Sequence, residues 1–302
     1  MAKISRATRE TIQTILVLVL AIALIVVYVI YPLNRSKAFF GRTRLDSYNE
    51  KVKPANDPAP LGQIAAKIDT VRVEADGLTN LACVSALNSP ATGQASRGTV
   101  IIPLTDEYDR GKAAGVSRML ADSGFVLWLY DQRATGTSTG KYHSDGQLES
   151  QDVEAIVSYL ELHGKLTHPV IVLGFGLAGE AAMLATAEEK RVNAVVAVNP
   201  YLTSERMITE LRQGRSLIWF PFWKNILWWW FKTRSGYAID LRGTNDIKPV
   251  AAKTVVELSP DRIGSADAAR LKEVSPPELL QIIPVESSDQ DLVRQIISLT
   301  RP

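Results

Sequence analysis

Cysteine and histidine are scarce in this sequence of 302 residues. The single cysteine, Cys83, excludes an internal disulfide and any CxxC metal site. The three histidines are too few and too clustered for a zinc centre, and none of them lies beyond His168. The sequence therefore predicts neither a metal site nor a structural disulfide, and we expect no cofactor.

Excess charge is also absent, since the formal net charge is only +2. The basic residues are spread along the chain and form no strip suited to a row of phosphates, so nucleic acid is not an expected partner. With 46% hydrophobic and 22% charged residues, the composition is that of a folded protein. The simplest organisation is one globular domain with an anchor.

One long segment contains no charged residue, from Thr11 to Asn34, and Ile15–Leu33 is almost wholly aliphatic. It is long enough to cross a hydrocarbon core of about 30 Å. We predict a transmembrane helix over residues 12–33, behind a basic tail at 1–11. A cleavable signal peptide is the competing interpretation, but the apolar run is longer than a usual signal core and no small-residue cleavage site follows it.

The orientation of this helix is less strongly encoded, because basic residues flank it on both sides in nearly equal number. A short basic tail before a long apolar run is typical of a signal anchor, which would place the large domain outside the cytoplasm. Residues 34–67 are polar and contain several prolines, as in a juxtamembrane linker. We expect the folded domain at 68–302.

Short apolar runs recur through this domain. The first two, Thr70–Glu74 and Leu81–Leu87, flank Asp76-Gly77 and predict a hairpin. The later runs lack alternation, as parallel strands buried on both faces require. They are Thr99–Leu104, Phe125–Asp131, Pro169–Gly174, Asn193–Val198, Thr254–Leu258 and Leu279–Val285.

Segments with apolar residues at helical spacing separate these runs. Repetition of strand and helix predicts an α/β fold with a doubly wound, mostly parallel sheet, and a ligand crevice at the carboxyl ends of its strands. The predicted helices are Asp109–Ser123, Glu149–Leu162, Leu177–Lys190 and Asp291–Thr300.

Two motifs follow predicted strands. Asp131-Gln132-Arg133-Ala134-Thr135-Gly136-Thr137-Ser138-Thr139-Gly140 is similar to the D-x-R-G-x-G-x-S-x-G loop of many α/β-hydrolases. Gly174-Phe175-Gly176-Leu177-Ala178-Gly179 stands where this family has its G-x-S-x-G nucleophile elbow. The chain thus resembles an α/β-hydrolase from about Thr70 to its C-terminus.

The resemblance fails at the catalytic positions. Gly176 stands at the nucleophile position, and glycine has no side chain that could attack a carbonyl. The family places its histidine after the last strand, where this chain has Ser287 and Ser288. Asp261 is the counterpart of the acid. The resemblance therefore implies a homologue without an intact triad.

An anion-binding nook does not require particular side chains. The backbone N–H groups of Thr105 and Leu177 correspond to the oxyanion donors of the family, and with Gly176 they form the predicted ligand site. Three other nucleophiles or bases are better explained structurally: Ser138 as a loop cap, Cys83 as a buried hydrophobe and His143 as a solvated loop residue. Asp131 and Arg133 are expected to brace their turn.

Five of the six tryptophans cluster in an insertion predicted at about 203–250. Two interpretations are open: the aromatic residues pack down as a cap, or they contact the headgroup region of the bilayer beside nearby basic residues. The residues concerned are Trp219, Phe220, Phe222, Trp223, Trp228, Trp229 and Trp230.

Three functional hypotheses follow. The leading one is a membrane-anchored, catalytically inactive homologue that binds membrane lipid, an apolar small molecule or a protein partner. The alternative is a membrane-associated esterase, lipase or peptidase with relocated catalytic residues. A structural subunit without a ligand is the third.

Overall fold

The structure of the chain is a computed structural model. The residues that it describes are 6–31, 67–77, 79–87, 96–105, 108–140, 143–204, 206–207, 229, 243–285 and 288–300. The predicted linker therefore lies largely outside the described residues.

The N-terminal helix α1 (Arg6–Ile25) continues into a π-helical turn at Val26–Ile30. Together they contain a candidate membrane span of 23 residues, Thr8–Ile30, in which an 18-residue window has a mean hydropathy of 2.9 and no buried share. This helix is long and apolar enough to cross a membrane. The helix begins at Arg6, six residues before the predicted start at position 12, and so includes polar residues of the predicted tail.

Eight strands form one sheet in the order β1-β2-β4-β3-β5-β6-β7-β8. The first two strands pair antiparallel as the predicted hairpin, and β2 pairs antiparallel with β4. The other neighbouring pairs are parallel. The strands are β1 (Lys67–Asp76), β2 (Thr79–Leu87), β3 (Thr99–Leu104), β4 (Val126–Asp131), β5 (Val170–Phe175), β6 (Val192–Val198), β7 (Lys253–Leu258) and β8 (Leu280–Pro284).

Helices cover both faces of this sheet, and each predicted helix is confirmed. Two further helices, α5 (Pro260–Ile263) and α6 (Ala266–Val274), lie between β7 and β8 and were not predicted. They are short, and α6 buries only Ala268 and Leu271, so its apolar period is weak. The helices are α2 (Arg110–Asp122), α3 (Gln147–Leu162), α4 (Leu177–Glu188), α5 (Pro260–Ile263), α6 (Ala266–Val274) and α7 (Asp289–Leu299).

Two hydrophobic clusters stabilise the domain, one on each face. One joins Val153 and Ile156 of α3 and Ala182 of α4 to the sheet. The other joins Val116 of α2 and Ile296 of α7 to the opposite face. Burial of these apolar side chains on both faces explains why the central strands have uninterrupted apolar sequences.

Candidate functional site

The sharp turn between β5 and α4 is centred on Gly176. Its backbone has φ 54° and ψ −118°, a conformation that is strained for residues with a Cβ atom. The Gly176 N–H donates to the Val198 carbonyl oxygen at 2.9 Å, and its own carbonyl oxygen accepts from Glu180 N–H at 3.1 Å. The predicted strand-to-helix elbow is therefore present, with a glycine at its tip.

Two flanking glycines allow this turn to pack closely. A Cβ atom added at Gly174 would lie 2.5 Å from the Ala178 carbonyl oxygen, and one at Gly179 would lie 2.9 Å from the Gly174 carbonyl oxygen. Both separations are shorter than any ordinary van der Waals contact, so the first turn of α4 can approach β5 only without these side chains. The spacing of small residues in the motif thus has a steric cause.

The loop after β3 supplies the predicted partner of this elbow. The Thr105 N–H donates to the Tyr108 carbonyl oxygen at 3.1 Å, and the Thr105 hydroxyl accepts from Tyr108 N–H at 3.0 Å. The Thr105 donor is therefore engaged within its own loop. Within the described part of the chain, the Leu177 N–H has no acceptor, as expected in the first turn of a helix.

An aromatic stack connects this loop to the elbow. The rings of Tyr108 and Phe175 are nearly parallel, with an interplanar angle of 17° and centroids 3.5 Å apart. Burial, with a further contribution from the Asp289 carboxylate, raises the pKa of the Tyr108 hydroxyl. Tyr108 is therefore a neutral packing residue beside the elbow.

Solved structures have a similar fold. A Pyrococcus furiosus esterase, Pf2001, aligns with a TM-score of 0.56 at 18% identity over 81% of this chain and 94% of the esterase. A Xanthomonas campestris α/β serine hydrolase without a lid, XC6422, gives 0.51 at 15% identity over 78% and 94%. The α/β-hydrolase GrgF from a Penicillium species gives 0.52 at 16% identity over 78% and 98%.

The chain has the α/β-hydrolase fold. No protein-family profile matches it, and no curated protein matches it in sequence. At these low identities the structural likeness establishes the fold alone, and the chemistry has to be derived from the residues of this chain.

Asp261, the expected counterpart of the acid, follows β7. This residue lies in the first turn of α5, and its side chain is exposed. The sequence did not single out Glu257, which lies one residue before the end of β7 and is fully buried. The sequence signal that could have identified Glu257 is the presence of a carboxylate inside the apolar run Thr254–Leu258.

The histidine position of the fold lies between β8 and α7. Ser287 is outside the described residues, whereas Ser288 is the N-cap residue of α7 and donates its hydroxyl to the Asp291 carboxylate at 2.8 Å. The Ser288 hydroxyl is therefore engaged by Asp291 and makes no capping hydrogen bond to the backbone of α7. Neither serine could supply the imidazole that the fold uses as a general base.

All three histidines of the chain are described, and two of them lie far from the elbow. His163 and His168 are exposed and precede β5, whereas Gly176 follows it. Six strand residues separate the two edges of the sheet by about 20 Å. These two imidazoles are therefore unable to act on a ligand at the elbow.

The third histidine, His143, is half-buried, which differs from the solvated position expected. Its Nδ1 atom lies 3.4 Å from Oε1 of the fully buried Glu149. Burial acts to raise the pKa of Glu149, but the imidazole of His143 and hydrogen bonds from Ser144 outweigh it and lower the pKa to about 2. Ser144 and Gly146 also donate backbone N–H groups to this carboxylate.

Arg133 connects three elements through ion pairs. Its Nε atom lies 3.0 Å from Oδ2 of Asp152 in α3, and its Nη1 atom lies 3.3 Å from Asp76 at the end of β1. Burial raises the pKa of Asp152 to about 6, although Arg133 acts in the opposite direction. Arg133 thus braces its turn, as expected.

Asp131 braces the same turn through other partners. Its carboxylate accepts from the Thr137 N–H at 2.9 Å and lies 3.5 Å from Nη2 of Arg110 in α2. The Ser138 hydroxyl donates to the Asp131 carbonyl oxygen and accepts from Ala82 N–H at 2.8 Å. Since both functions of the Ser138 hydroxyl are used, the residue fixes the loop against β2.

Cys83 is buried on β2, with 2% of its surface exposed. Burial raises the pKa of its thiol, so the nucleophilic thiolate is disfavoured. The residue is a packing residue in this position.

The aromatic insertion is described mainly at its ends. Ser204 donates its hydroxyl to Asp145 at 2.6 Å and Leu202 N–H donates to Glu180 at 2.8 Å, so the outgoing end is fixed beside α4. On the return side, Ile247 and Val250 are buried. Trp229 is helical and 57% exposed. Trp219, Phe220, Phe222, Trp223, Trp228 and Trp230 lie outside the described residues.

No site for a metal emerges from the described residues, since they contain no group of three histidine, cysteine or acidic side chains that could hold an ion. What this edge of the sheet offers is a tight elbow with one donor N–H and no reacting side chain at its tip. Such an arrangement can hold an oxygen atom of a ligand by hydrogen bonding, but it cannot form a covalent intermediate with it.

Proposed function

We propose that this chain is a membrane-anchored α/β-hydrolase homologue that binds an apolar ligand at the retained crevice and does not hydrolyse it. The observation that carries the proposal is Gly176, which takes the elbow conformation at the position of the nucleophile. A membrane lipid is the ligand source nearest to a domain held beside a bilayer. The anchor is α1, and the large domain is proposed to lie outside the cytoplasm.

The surroundings of α4 support an apolar ligand. A surface depression along this helix is lined mostly by apolar side chains, and it lies between the two described ends of the aromatic insertion. Its lining includes Met183, Leu184, Leu202, Ile247, Pro249 and Val250.

The aromatic insertion is proposed to contact the bilayer. Tryptophan favours the headgroup region, and Arg215, Lys224, Lys232 and Arg234 are near the tryptophans in sequence. The exposed indole of Trp229 agrees with this arrangement. A protein partner that covers the same aromatic residues is the competing interpretation.

One observation favours the alternative of a hydrolase with relocated residues. His143 lies beside Glu149, and a carboxylate beside an imidazole is the arrangement that orients a general base. Ser144, the adjacent hydroxyl, donates to Glu149 and not to the imidazole. The pair therefore lacks a bonded nucleophile among the described residues.

The deciding experiment is fluorophosphonate labelling and ester turnover with the full chain in nanodiscs. We expect no labelling and no turnover, and the same for Gly176→Ser, because that variant gains a hydroxyl without gaining a base. Labelling of the unaltered chain that maps to a serine, and turnover that His143→Ala abolishes, would support the relocated hydrolase. Asp261→Ala is the control variant at the acid position.

A further inference from the structure

Gln132 is a buried polar residue that the bracing network of its turn does not use. The residue is fully buried, and neither its Oε1 nor its Nε2 atom has a hydrogen-bond partner within the described part of the chain. Buried side-chain amides are normally bonded, since an unpaired donor or acceptor destabilises the fold. Other described residues have one unpaired buried side-chain atom, whereas Gln132 lacks a partner for both its donor and its acceptor.

Its place in the sheet puts Gln132 at the edge that carries the elbow. The Gln132 N–H donates to the Leu104 carbonyl oxygen at 3.0 Å, so pairing with β3 continues one residue beyond β4. Leu104 is level with Asp131. The parallel pairing of these strands in the order β4-β3-β5 places Gln132, which follows β4, two strands away from Gly176, which follows β5.

The direction of the Gln132 side chain follows from the alternation of strand side chains between the two faces of the sheet. The Asp131 carboxylate faces Arg110 of α2, so the next residue faces the opposite side of the sheet, where α3 and α4 lie. The N-terminus of α4 with its Leu177 N–H is on that side. Two groups that lack a protein partner among the described residues thus lie on the same side of the sheet, at the ends of strands about 10 Å apart.

We infer that Gln132 recognises a carboxamide group of the ligand. This inference rests on the proposed ligand-binding function and adds the chemical class of the ligand. A carboxamide is complementary to the Gln132 side chain, because Nε2 needs an acceptor and Oε1 needs a donor.

Other common groups satisfy only half of this requirement. An ester, a carboxylate or a phosphate offers acceptors alone and would leave Oε1 unpaired. A primary or secondary carboxamide offers a carbonyl oxygen and an N–H side by side, so it pairs with both atoms. Because Gln132 is closed to solvent in this conformation, ligand access requires the surrounding side chains to move apart.

The test uses the full chain in phosphatidylcholine nanodiscs with two probes of equal chain length, octanamide and methyl octanoate. Binding is measured by ligand-observed NMR, with empty nanodiscs as the blank for partition into lipid. We expect octanamide to bind about tenfold more tightly than the ester, which corresponds to one or two hydrogen bonds.

The variant Gln132→Leu removes both polar atoms and keeps a similar volume. It is expected to abolish the preference for octanamide over methyl octanoate. It should also raise the thermal midpoint by about 3 °C, because the buried unpaired amide is gone. If Gln132 served only to stabilise the fold, Gln132→Leu would lower the thermal midpoint instead.

Tyr130→Phe is the matched control. The Tyr130 hydroxyl is buried on the same face of β4 and also lacks a partner among the described residues, so the variant removes an unpaired atom without touching the amide. It should retain the preference for octanamide. Equal binding of both probes to the unaltered chain would overturn this inference and leave the proposed function standing, whereas binding of neither probe would contradict both.

Discussion

At the scale of single residues, the backbone of two turns departs from what L-residues normally adopt. Gly176 has no Cβ atom, so the backbone conformation of the elbow causes it no strain. In contrast, Ala134 has φ 59° at the position where the family loop has glycine. Its N–H donates to the Thr139 carbonyl oxygen, which holds the turn in this form. The chain thus carries strain at the arginine turn and none of it at the elbow.

Replacement of Ala134 by glycine should stabilise the protein. The Cβ atom of an L-residue at positive φ costs roughly 1–2 kcal/mol, part of which is offset by the entropy of the more flexible unfolded glycine. We expect Ala134→Gly to raise the free energy of unfolding by about 1 kcal/mol in denaturant titration. Ala269→Gly, on the exposed face of α6, should lower it by a similar amount. Equal effects of both variants would show that Ala134 is not strained.

Gly174 should not tolerate any side chain. The added methyl group would overlap the backbone of Ala178 at 2.5 Å, and backbone in a buried helix cannot move away easily. Gly174→Ala is expected to lower the free energy of unfolding by about 1–3 kcal/mol. Gly264→Ala, where nothing lies within 4 Å and φ is −88°, should change it by less than about 0.5 kcal/mol. A neutral Gly174→Ala would mean that the elbow is looser than described.

At the scale of elements, buried charges fix the start of α3 to its surroundings. Glu149 accepts from Ser144 and Gly146 before the helix, and Asp152 pairs with Arg133 from the turn after β4. Ionised Glu149 in the first turn of a helix also interacts favourably with the helix dipole. The fold therefore depends on the protonation of groups that have no contact with water.

The depressed pKa of Glu149 makes stability depend on pH in acid. Its folded value of about 2 is below the ordinary 4.5, so its stabilisation is fully present above pH 4.5 and is lost as the pH falls towards 2. Glu149→Gln should flatten the thermal midpoint against pH over that window. A variant with the same slope as the unaltered chain would contradict the assignment.

Asp152 acts with the opposite sign. Its folded pKa of about 6 exceeds the ordinary 3.8, so the stability linked to its protonation is present below pH 3.8 and is lost as the pH rises through about 6. The comparison variant Asp152→Asn should therefore remove a decline in the thermal midpoint between about pH 4 and pH 6, and leave the acid window of Glu149 in place.

At the scale of the whole molecule, an apolar helix and a tryptophan-rich insertion belong to one chain. Because Trp128 is buried and the other five tryptophans lie at 219–230, fluorescence can report on the insertion. If the insertion contacts lipid, brominated phosphatidylcholine should quench most of the tryptophan emission of the reconstituted chain.

Replacement of those five tryptophans by phenylalanine should remove the quenching and leave the unquenched emission of Trp128. Phenylalanine retains the aromatic bulk, so the domain is expected to stay folded. Absence of quenching in the unaltered chain would mean that the aromatic residues are covered by protein, either as a cap on the crevice or by a partner.

Much of the fold was predictable from local sequence. The apolar runs identified all eight strands, and small residues at Gly174 and Gly179 identified the elbow. The two helices after β7 were missed because their buried residues are few. At the site, Glu257 and the Glu149 partner of His143 were missed, since an isolated acid in a sequence does not reveal whether it is buried.

The sequence by itself determined the architecture, the apolar N-terminal helix and the glycine at the nucleophile position, because strand burial, helix length and side-chain identity are local properties. Only the tertiary structure decided that Thr105 N–H is engaged by Tyr108, that Arg133 pairs with Asp152, and that the Gln132 amide lacks a partner. Each of these depends on atoms brought within hydrogen-bond distance by the fold, and hydrogen bonds act only over about 3 Å.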